Sequence, residues 1–317
     1  MQIKNSHPEL EHSPLIDALP AACADETAAV EFMEAQRWGS NPTCPHCESS
    51  EVYQMKNRAG IRNSRYLWRC RACSEQYTVR IGTVYEDSRL PMKHWCFAFW
   101  RACASKKGVS AREIQRHCQI SYKSALFLMH RIRFAMTPEI TPRLKGKIEC
   151  DETYVGGKPR PGTGYHKRGH GTKKTPVFAM VERDGSIHRR VVADVTGKTL
   201  KSAIRQCVDQ KSTIITDEFR AYSGIGKSFT GGHESVFHSQ GEYARGDIHT
   251  NTAESSFAIL KRGITGIYHA VSKEHLHRYV SEFDFRWNTR KLNDGQRTAL
   301  AIQGALGKRL TYEERSA

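Results

Sequence analysis

The stretch Lys147-Ile-Glu-Cys-Asp-Glu-Thr-Tyr-Val155 largely alternates polar and apolar side chains, the pattern of a β-strand with two different faces. Strand-like runs follow at residues 176–183, 186–195 and 212–216, and a helical pattern covers residues 199–209. Three consecutive strands, a helix and a further strand predict a mixed α/β fold, in which one central mixed sheet is flanked by helices.

Three carboxylates stand at points of this pattern where distant parts of the chain can meet. Asp151 belongs to the first strand, Asp217 follows the run Thr213-Ile-Ile-Thr216, and Glu254 opens a segment with helical spacing. Lys261 comes seven residues after Glu254, within about 20° of the same helix face. Three acids can hold two Mg²⁺ or Mn²⁺ ions about 4 Å apart, which is the arrangement needed to cut or join phosphodiesters.

Neighbouring acids leave the choice of ligands open. Glu149, Glu152 and Glu218 are close in sequence to the proposed set, and a single carboxylate is usually a solvated surface group. Alternation along the first strand puts Asp151 on the face of Glu149 and Thr153, with Cys150 and Glu152 on the opposite face.

Four cysteines form two pairs of equal spacing. Cys44-Pro-His-Cys47 and Cys70-Arg-Ala-Cys73 are separated by 22 residues, and strand-like aromatic residues surround the second pair. Two such turns complete the tetrahedral sulfur shell that Zn²⁺ prefers, so the pattern predicts a zinc ribbon with one structural ion. Four unrelated buried cysteines or a redox pair are the alternatives. Several arginines decorate the ribbon, which suits either a DNA-facing surface or a solvated basic face.

The charge of the chain favours a polyanionic partner. The 317 residues carry a net charge of +16 and a pI near 9.5, and nucleic acid is the leading candidate over a basic protein without such a partner. The sequence has neither a signal peptide pattern nor the roughly 18 consecutive apolar residues that span a bilayer. We therefore expect no membrane partner and a cytoplasmic protein, associated with the nucleoid when bound to DNA.

Two short helices before the catalytic region resemble a helix-turn-helix. Residues 109–118 and 122–133 have helical patterns, Ser110 and Glu113 match a capping box, and Ser121 can cap the second helix. A plain αα-hairpin explains the same pattern. On the second helix, the predicted DNA-binding residues are Lys123, Arg131 and Arg133.

A glycine- and proline-rich loop lies between the first two catalytic strands. Residues 156–174 contain six Lys or Arg and no acid, which predicts a loop that grips phosphates, although an insert with no partner is the alternative. Its basic residues are Lys158, Arg160, Lys167, Arg168, Lys173 and Lys174. Arg262, beside Lys261, completes the predicted DNA-binding set.

These segments divide the chain into five parts. The prediction is a flexible arm at 1–25, a zinc ribbon with a leading helix at 26–85, and a helical, helix-turn-helix-like DNA-binding segment at 88–140. A catalytic domain at 145–292 and a C-terminal tail at 293–317 follow.

The motifs around the acids resemble those of bacterial insertion-sequence transposases of the ISXO type. The matching stretches are Asp151-Glu-Thr-Tyr-Val-Gly-Gly, Thr216-Asp-Glu-Phe-Arg-Ala-Tyr222, His249-Thr-Asn-Thr-Ala-Glu254, Leu260-Lys-Arg-Gly263 and Tyr268-His269, behind the family's zinc ribbon. The resemblance covers residues from about 26 to 292. It implies an RNase H-like domain with a DDE-type site, whose acids map onto Asp151, Asp217 and Glu254 and whose trailing lysine maps onto Lys261.

The function expected from this resemblance is DNA transposition. Such an enzyme binds terminal inverted repeats in double-stranded DNA, cleaves the element's ends, and joins the freed 3′ hydroxyl to target DNA in line, as a homo-oligomer on DNA. Two other functions stay open. One is a domesticated, non-catalytic DNA-binding regulator, and the other is an RNase H-like nuclease that cuts without joining.

Overall fold

The computed structural model describes residues 14–156 and 174–311, which form two compact units. The first unit combines the chain up to Met136 with the chain from Arg290 onwards, and the second unit runs from Thr137 to Thr289. In chain order, the second unit is therefore an insertion into the first.

The first unit begins with two helices and a small sheet. Helices α1 (Pro14–Ala24) and α2 (Glu26–Trp38) precede strands β1 (Val52–Gln54), β2 (Trp68–Cys70) and β3 (Gln76–Tyr77). The strands form an antiparallel sheet with β2 in the centre. This is the predicted ribbon with its leading helix.

Polar contacts join α2 to the ribbon. The carboxylate of Glu34 is buried and accepts hydrogen bonds from the indole N–H of Trp68 at 2.7 Å and from the guanidinium of Arg62. Arg37 donates to the carbonyls of Val79 and Ile81 at 2.8 and 2.7 Å. Because these donors would otherwise be buried without acceptors, the helix fixes the path of the ribbon.

Three further helices follow in the same unit: α3 (Met92–Ala104), α4 (Ala111–Cys118) and α5 (Tyr122–Ala135). The hydroxyls of Ser110 and Ser121 cap α4 and α5 at their N-termini, as predicted. The capping box is not completed, because the Glu113 carboxylate pairs with Arg101 at 2.8 Å instead.

The second unit is organised around a five-stranded mixed sheet. Its elements are β4 (Lys147–Val155), β5 (Thr175–Glu182), β6 (Ile187–Val191), α6 (Gly197–Cys207), β7 (Thr213–Thr216) and β8 (His233–Ser235). The strand order is β6-β5-β4-β7-β8. In this sheet β5 pairs antiparallel with β4 and with β6, whereas β7 lies parallel to β4 and β8 lies parallel to β7. This mixed sheet is the one expected of the RNase H-like domain.

The last part of the second unit returns to cover the sheet. A short hairpin of β9 (Ala244–Arg245) and β10 (Ile248–His249) leads into α7 (Asn251–Gly263), a π-helical turn (Ile264–Tyr268) and α8 (Leu276–Asn288).

The two faces of the sheet have separate cores. Cys150 and Met180 pack with Leu200 and Ile204 of α6 on one face. On the other face, β-strand residues pack against α7 and α8, and the members of this core include Val155, Ala179, Phe257, Leu260 and Val280. Helices cover both faces of the sheet, and β5 is apolar on each side, whereas β4 has one largely polar face.

Two predicted boundaries need correction. Residues 14–24 of the predicted flexible arm form α1, because Leu19 and Ala22 are buried in the first unit. The predicted tail contains α9 (Asp294–Gln303), which packs against α3, and Val84 donates to the carbonyl of Ala305 at 3.1 Å. Because many of their apolar residues are small alanines, both segments show only a weak hydrophobic period in the sequence. Among residues 14–156 and 174–311, no helix has the length and apolarity needed to cross a membrane.

The close approach of Gly304 to α5 provides a test of this docking. A methyl group on Gly304 would meet the carbonyl oxygen of Ala135 at 2.4 Å, whereas one on Gly266 would meet nothing within 4 Å. We expect Gly304→Ala to lower the free energy of unfolding by about 1–3 kcal/mol in urea titrations, the usual cost of overpacking. Gly266→Ala is the control, and an equal loss in both variants would contradict the docking of the C-terminal segment.

Candidate active site

Asp151 lies in the middle of β4 and faces α7. It pairs with Ala179 of β5, whose side chain belongs to the core under α7 and α8. Burial raises the pKa of the Asp151 carboxyl to about 8, and the negative charges of Glu152, Asp217 and Glu254 add to the rise, against a hydrogen bond from the Glu152 N–H. Asp151 is therefore close enough to both predicted partners to sense their charges.

Strand register brings Asp217 level with Asp151. Glu149 of β4 pairs with Ile215 of the parallel β7, so two further residues along each strand lead to Asp151 and Asp217. Burial raises the pKa of Asp217, while the N–H of Phe219, which donates to it at 3.1 Å, and His238 lower it. Both carboxylates are half-buried and lie level with each other where β7 ends.

Glu254 reaches the site from the first turn of α7. It is exposed, as is Lys261 two turns further along the same helix. Their spacing puts both side chains near one helix face. The structure thus brings Asp151, Asp217 and Glu254 into one neighbourhood.

The position of α7 depends on Glu149. Thr250, at the N-terminal cap of this helix, makes no side-chain capping bond. Instead the Glu149 carboxylate accepts from the N–H groups of Thr252 and Ala253 at 2.8 and 3.1 Å, and from the Thr252 hydroxyl at 2.9 Å. A carboxylate at this end of a helix also interacts favourably with the helix dipole.

A fully buried acid needs a positive partner, and Glu149 has one. Its side chain is 0% exposed and pairs with Arg183 at 2.9 Å, while Nδ1 of His249 lies 3.3 Å from it. Breaking such a pair from one side typically costs about 3–5 kcal/mol. Glu149, left open by the sequence as a possible ligand, is thus occupied within the protein.

The other two rival acids also have partners. Glu152, on the opposite face of β4, accepts from the Tyr222 hydroxyl at 2.6 Å. Glu218 accepts from the N–H groups of His238 and Ser239 at 2.8 and 3.0 Å. These contacts distinguish the three rivals from Asp151 and Asp217, whose described hydrogen bonds come from backbone N–H groups close in sequence.

The cysteines of the ribbon form a compact cluster. Cys44, Cys47, Cys70 and Cys73 are the one set of at least three Cys, His, Asp or Glu side chains in the described parts of the chain whose ligand atoms all lie within 4.8 Å. The Cys44–Cys73 and Cys47–Cys70 sulfur distances are 3.6 Å, close to the edge of a tetrahedron with Zn–S bonds of about 2.3 Å. The four thiols therefore fit one structural Zn²⁺. The three acids are more widely spread than this.

The predicted DNA-binding residues have different outcomes. Lys123 and Arg262 are exposed and Lys174 is half-buried, while Lys158, Arg160, Lys167, Arg168 and Lys173 lie outside the described residues. The prediction that Arg131 and Arg133 bind DNA is corrected, because these residues are only 5% and 1% exposed. Arg131 donates to the carbonyl of Glu86 at 2.7 Å. Their charged groups fold back into the first unit, so neither is presented to DNA.

Sequence reasoning missed the contribution of Arg183 and the loop after β8. Arg183 directly follows β5 and pairs with Glu149, and an arginine at the end of a strand gave no sign of this partner in the sequence. The sequence did contain a signal for the position of His238, since this residue lies in a short aromatic-rich stretch before the Glu254 motif.

Comparison with known proteins agrees with the motifs. Residues 143–288 match the family model of the ISXO2-like transposase domain, and residues 24–76 match that of the transposase zinc-ribbon domain. A protein of the transposable element ISH50 from Halobacterium salinarum, itself uncharacterized, is 28% identical over 274 residues, which are 82% of this chain and 90% of that protein.

A solved structure, the Mos1 transposase paired-end complex with left transposon end, aligns with 63% of this chain and 75% of its own, at 9% identity and a TM-score of 0.24. A structural likeness this weak supports no conclusion about the chain. The two family models together cover more than half of the chain, in the order of the elements described above. The chain belongs to the insertion-sequence transposases of the ISXO type, with a transposase zinc ribbon ahead of an ISXO2-like transposase domain.

Proposed function

We propose that this transposase binds the terminal inverted repeats of its element, cleaves DNA at the element's ends, and joins the freed 3′ hydroxyl to target DNA. The observation that carries the proposal is that Asp151 and Asp217 lie level where β7 ends and that Asp151 senses the charge of Glu254. Burial, and then the charges of Glu152, Asp217 and Glu254, raise the pKa of Asp151 to about 8. Carboxylates gathered without a cation repel one another, so this site suits a divalent ion.

Hard oxygen ligands fit Mg²⁺ or Mn²⁺, and Asp151, Asp217 and Glu254 would hold two such ions. When bound, these ions would supply an activated attacking oxygen and charge stabilisation at the leaving oxygen. Lys261, exposed on the same helix as Glu254, would pair with a phosphate next to the scissile bond. Asp151 and Asp217 are half-buried, which limits the access of bulk water to the reacting phosphate.

The remaining parts would deliver DNA to the acids. The proposed contacts to double-stranded DNA come from the zinc ribbon and from several basic parts of the chain. These parts are the exposed N-terminal turn of α5 with Lys123, the basic loop at 157–173, Lys174 and Arg262. Because two element ends have to be brought together, we expect a homo-oligomer on DNA.

A non-catalytic regulator would have no reason to keep three acids together at the cost of mutual repulsion, so the electrostatics of Asp151 favour an enzyme. A nuclease that cuts without joining uses the same acids. Strand-transfer products with target DNA distinguish it from the proposed transposase.

Replacing Asp151 tests the catalytic proposal. We expect Asp151→Asn to reduce Mg²⁺-dependent cleavage of DNA carrying the element's ends by about a thousand-fold, since charge stabilisation by the ions is worth several kcal/mol. Single-turnover cleavage, followed on denaturing gels, is the measurement.

The same variant provides its own folding control. In EDTA, Asp151→Asn is expected to unfold at the same or a higher temperature than the wild-type protein, because it replaces a carboxyl whose charged form is disfavoured by burial and by the charges of Glu152, Asp217 and Glu254. Unchanged cleavage by a well-folded variant would overturn the assignment of Asp151.

Glu149 tests the positioning of α7. Glu149→Gln keeps the side-chain length but removes the charge opposite Arg183, so α7 should lose its fixed contact with β4. We expect the Mn²⁺ concentration for half-maximal cleavage to rise about ten-fold or more, as is typical when the residues that orient metal ligands are changed.

Glu282→Gln is the matched control for Glu149→Gln. Glu282 is also 0% exposed and pairs with an arginine, Arg286, in the same unit. Its replacement should lower stability without changing the Mn²⁺ requirement. Equal shifts of the Mn²⁺ requirement in both variants would mean that Glu149 acts only through general stability.

The ribbon is tested by its metal content. Wild-type protein should contain one Zn²⁺ per chain, whereas Cys70→Ser should lose this zinc and bind duplex DNA more weakly, because one of four ligands is missing. Cys118→Ser is the control, since Cys118 is buried outside the cluster. Zinc retained by Cys70→Ser, as measured by atomic absorption, would contradict the site.

A further inference from the structure

An aromatic loop lies next to the candidate active site. It comprises residues 237–243, between β8 and β9, and contains Phe237, His238 and Tyr243. Phe237 is 37% and Tyr243 is 64% exposed, although large aromatic side chains are usually buried. Two exposed rings within seven residues form an aromatic surface on this loop.

Hydrogen bonds fix this loop beside Asp217. The carboxylate of Glu218, the residue after Asp217, accepts from the N–H groups of His238 and Ser239. The loop is closed by Glu242, whose N–H donates to the Phe237 carbonyl at 3.1 Å and whose carboxylate accepts from the Phe237 N–H at 3.2 Å. The aromatic side chains are therefore carried on a closed loop with a defined position.

One residue of the loop connects it to the acids. His238 is half-buried, and its backbone N–H donates at 2.8 Å to the carboxylate of Glu218, the residue after Asp217. The Tyr243 ring lies against His238, with centroids 5.3 Å apart and planes inclined by 31°. Tyr243 thus continues outward from the recessed acids as an exposed, supported aromatic surface.

Asp151 and Asp217 are recessed, whereas Phe237 and Tyr243 are exposed. Where a DNA strand separates from its paired partner to bring a phosphate down to the acids, the faces of its bases become free. Aromatic side chains bind such bases by stacking, with little dependence on sequence.

We propose that Phe237 and Tyr243 form a binding site for an unpaired nucleobase of the DNA strand being cut or joined. The site rests on the proposed function, because it takes the strand that the acids act on. The site would hold the freed base while the neighbouring phosphate lies at the three acids. In this way it would help to position the end of the strand.

The test uses DNA of arbitrary sequence, because stacking does not require the element's ends. One probe is a 30-base-pair duplex with a four-nucleotide unpaired 3′ arm that carries 2-aminopurine, and the other is the fully paired duplex. Binding is measured in Ca²⁺ with otherwise intact active-site residues, as fluorescence of 2-aminopurine and as anisotropy of a second label.

We expect the wild-type protein to quench 2-aminopurine in the arm, and Tyr243→Ala to weaken binding of the forked probe about ten-fold while leaving the paired duplex unchanged. Tyr243→Phe should behave as wild type, since it keeps the ring. Tyr122→Ala is the control, because Tyr122 is a 40% exposed tyrosine of the first unit under Arg112. It should affect both probes equally or neither.

Several results would overturn the proposal. One is the absence of quenching, and another is an equal effect of Tyr243→Ala on both probes. A third is failure of Tyr243→Phe to retain binding, because this result would point to the hydroxyl or to a protein partner. Cleavage of element ends is measured separately. Loss of quenching with intact cleavage overturns the base site alone, and quenching without cleavage by the wild-type protein overturns the proposed function alone.

Discussion

The buried carboxylate of Glu149 holds together the two elements that carry the candidate site. It belongs to β4, two residues before Asp151, and it binds the first N–H groups of α7, two residues before Glu254. A helix has no partners for its first N–H groups, so it can dock with fixed position wherever a buried acceptor supplies them. Arg183 pairs with Glu149 at 2.9 Å, so this buried acceptor has a positively charged partner inside the protein.

The acids near the sheet edge serve two different purposes. Glu149, Glu152 and Glu218 each accept hydrogen bonds from named partners on other segments, and they fix α7, Tyr222 and the loop after β8. Asp151, by contrast, accepts from the adjacent Glu152 N–H and senses the charges of Asp217 and Glu254. Buried acids without a cation destabilise a fold, so the structural acids must hold their elements firmly enough to keep the others close.

Much of this arrangement can be predicted from the sequence because its signals are local. Alternation in residues 147–155 sets the face of Asp151, serine caps mark the starts of α4 and α5, and equal cysteine spacings mark the ribbon. Chain order then suffices to predict a mixed sheet. The buried Arg131 and Arg133 show the limit, since charge alone does not reveal that both side chains are buried and that the Arg131 guanidinium donates to the carbonyl of Glu86.

What could not be predicted depends on partners far apart in sequence. Glu149 and Thr252 are 103 residues apart, and Cys103 and Arg297 of the first unit are 194 apart. Neither pair has a spacing that a helix or strand period would reveal. The same holds for α1 and α9, whose alanine-rich faces become a core only where other helices meet them. Local chemistry therefore predicts a set of candidate acids, and the long-range hydrogen bonds of Glu149, Glu152 and Glu218 favour Asp151, Asp217 and Glu254 as the proposed metal ligands.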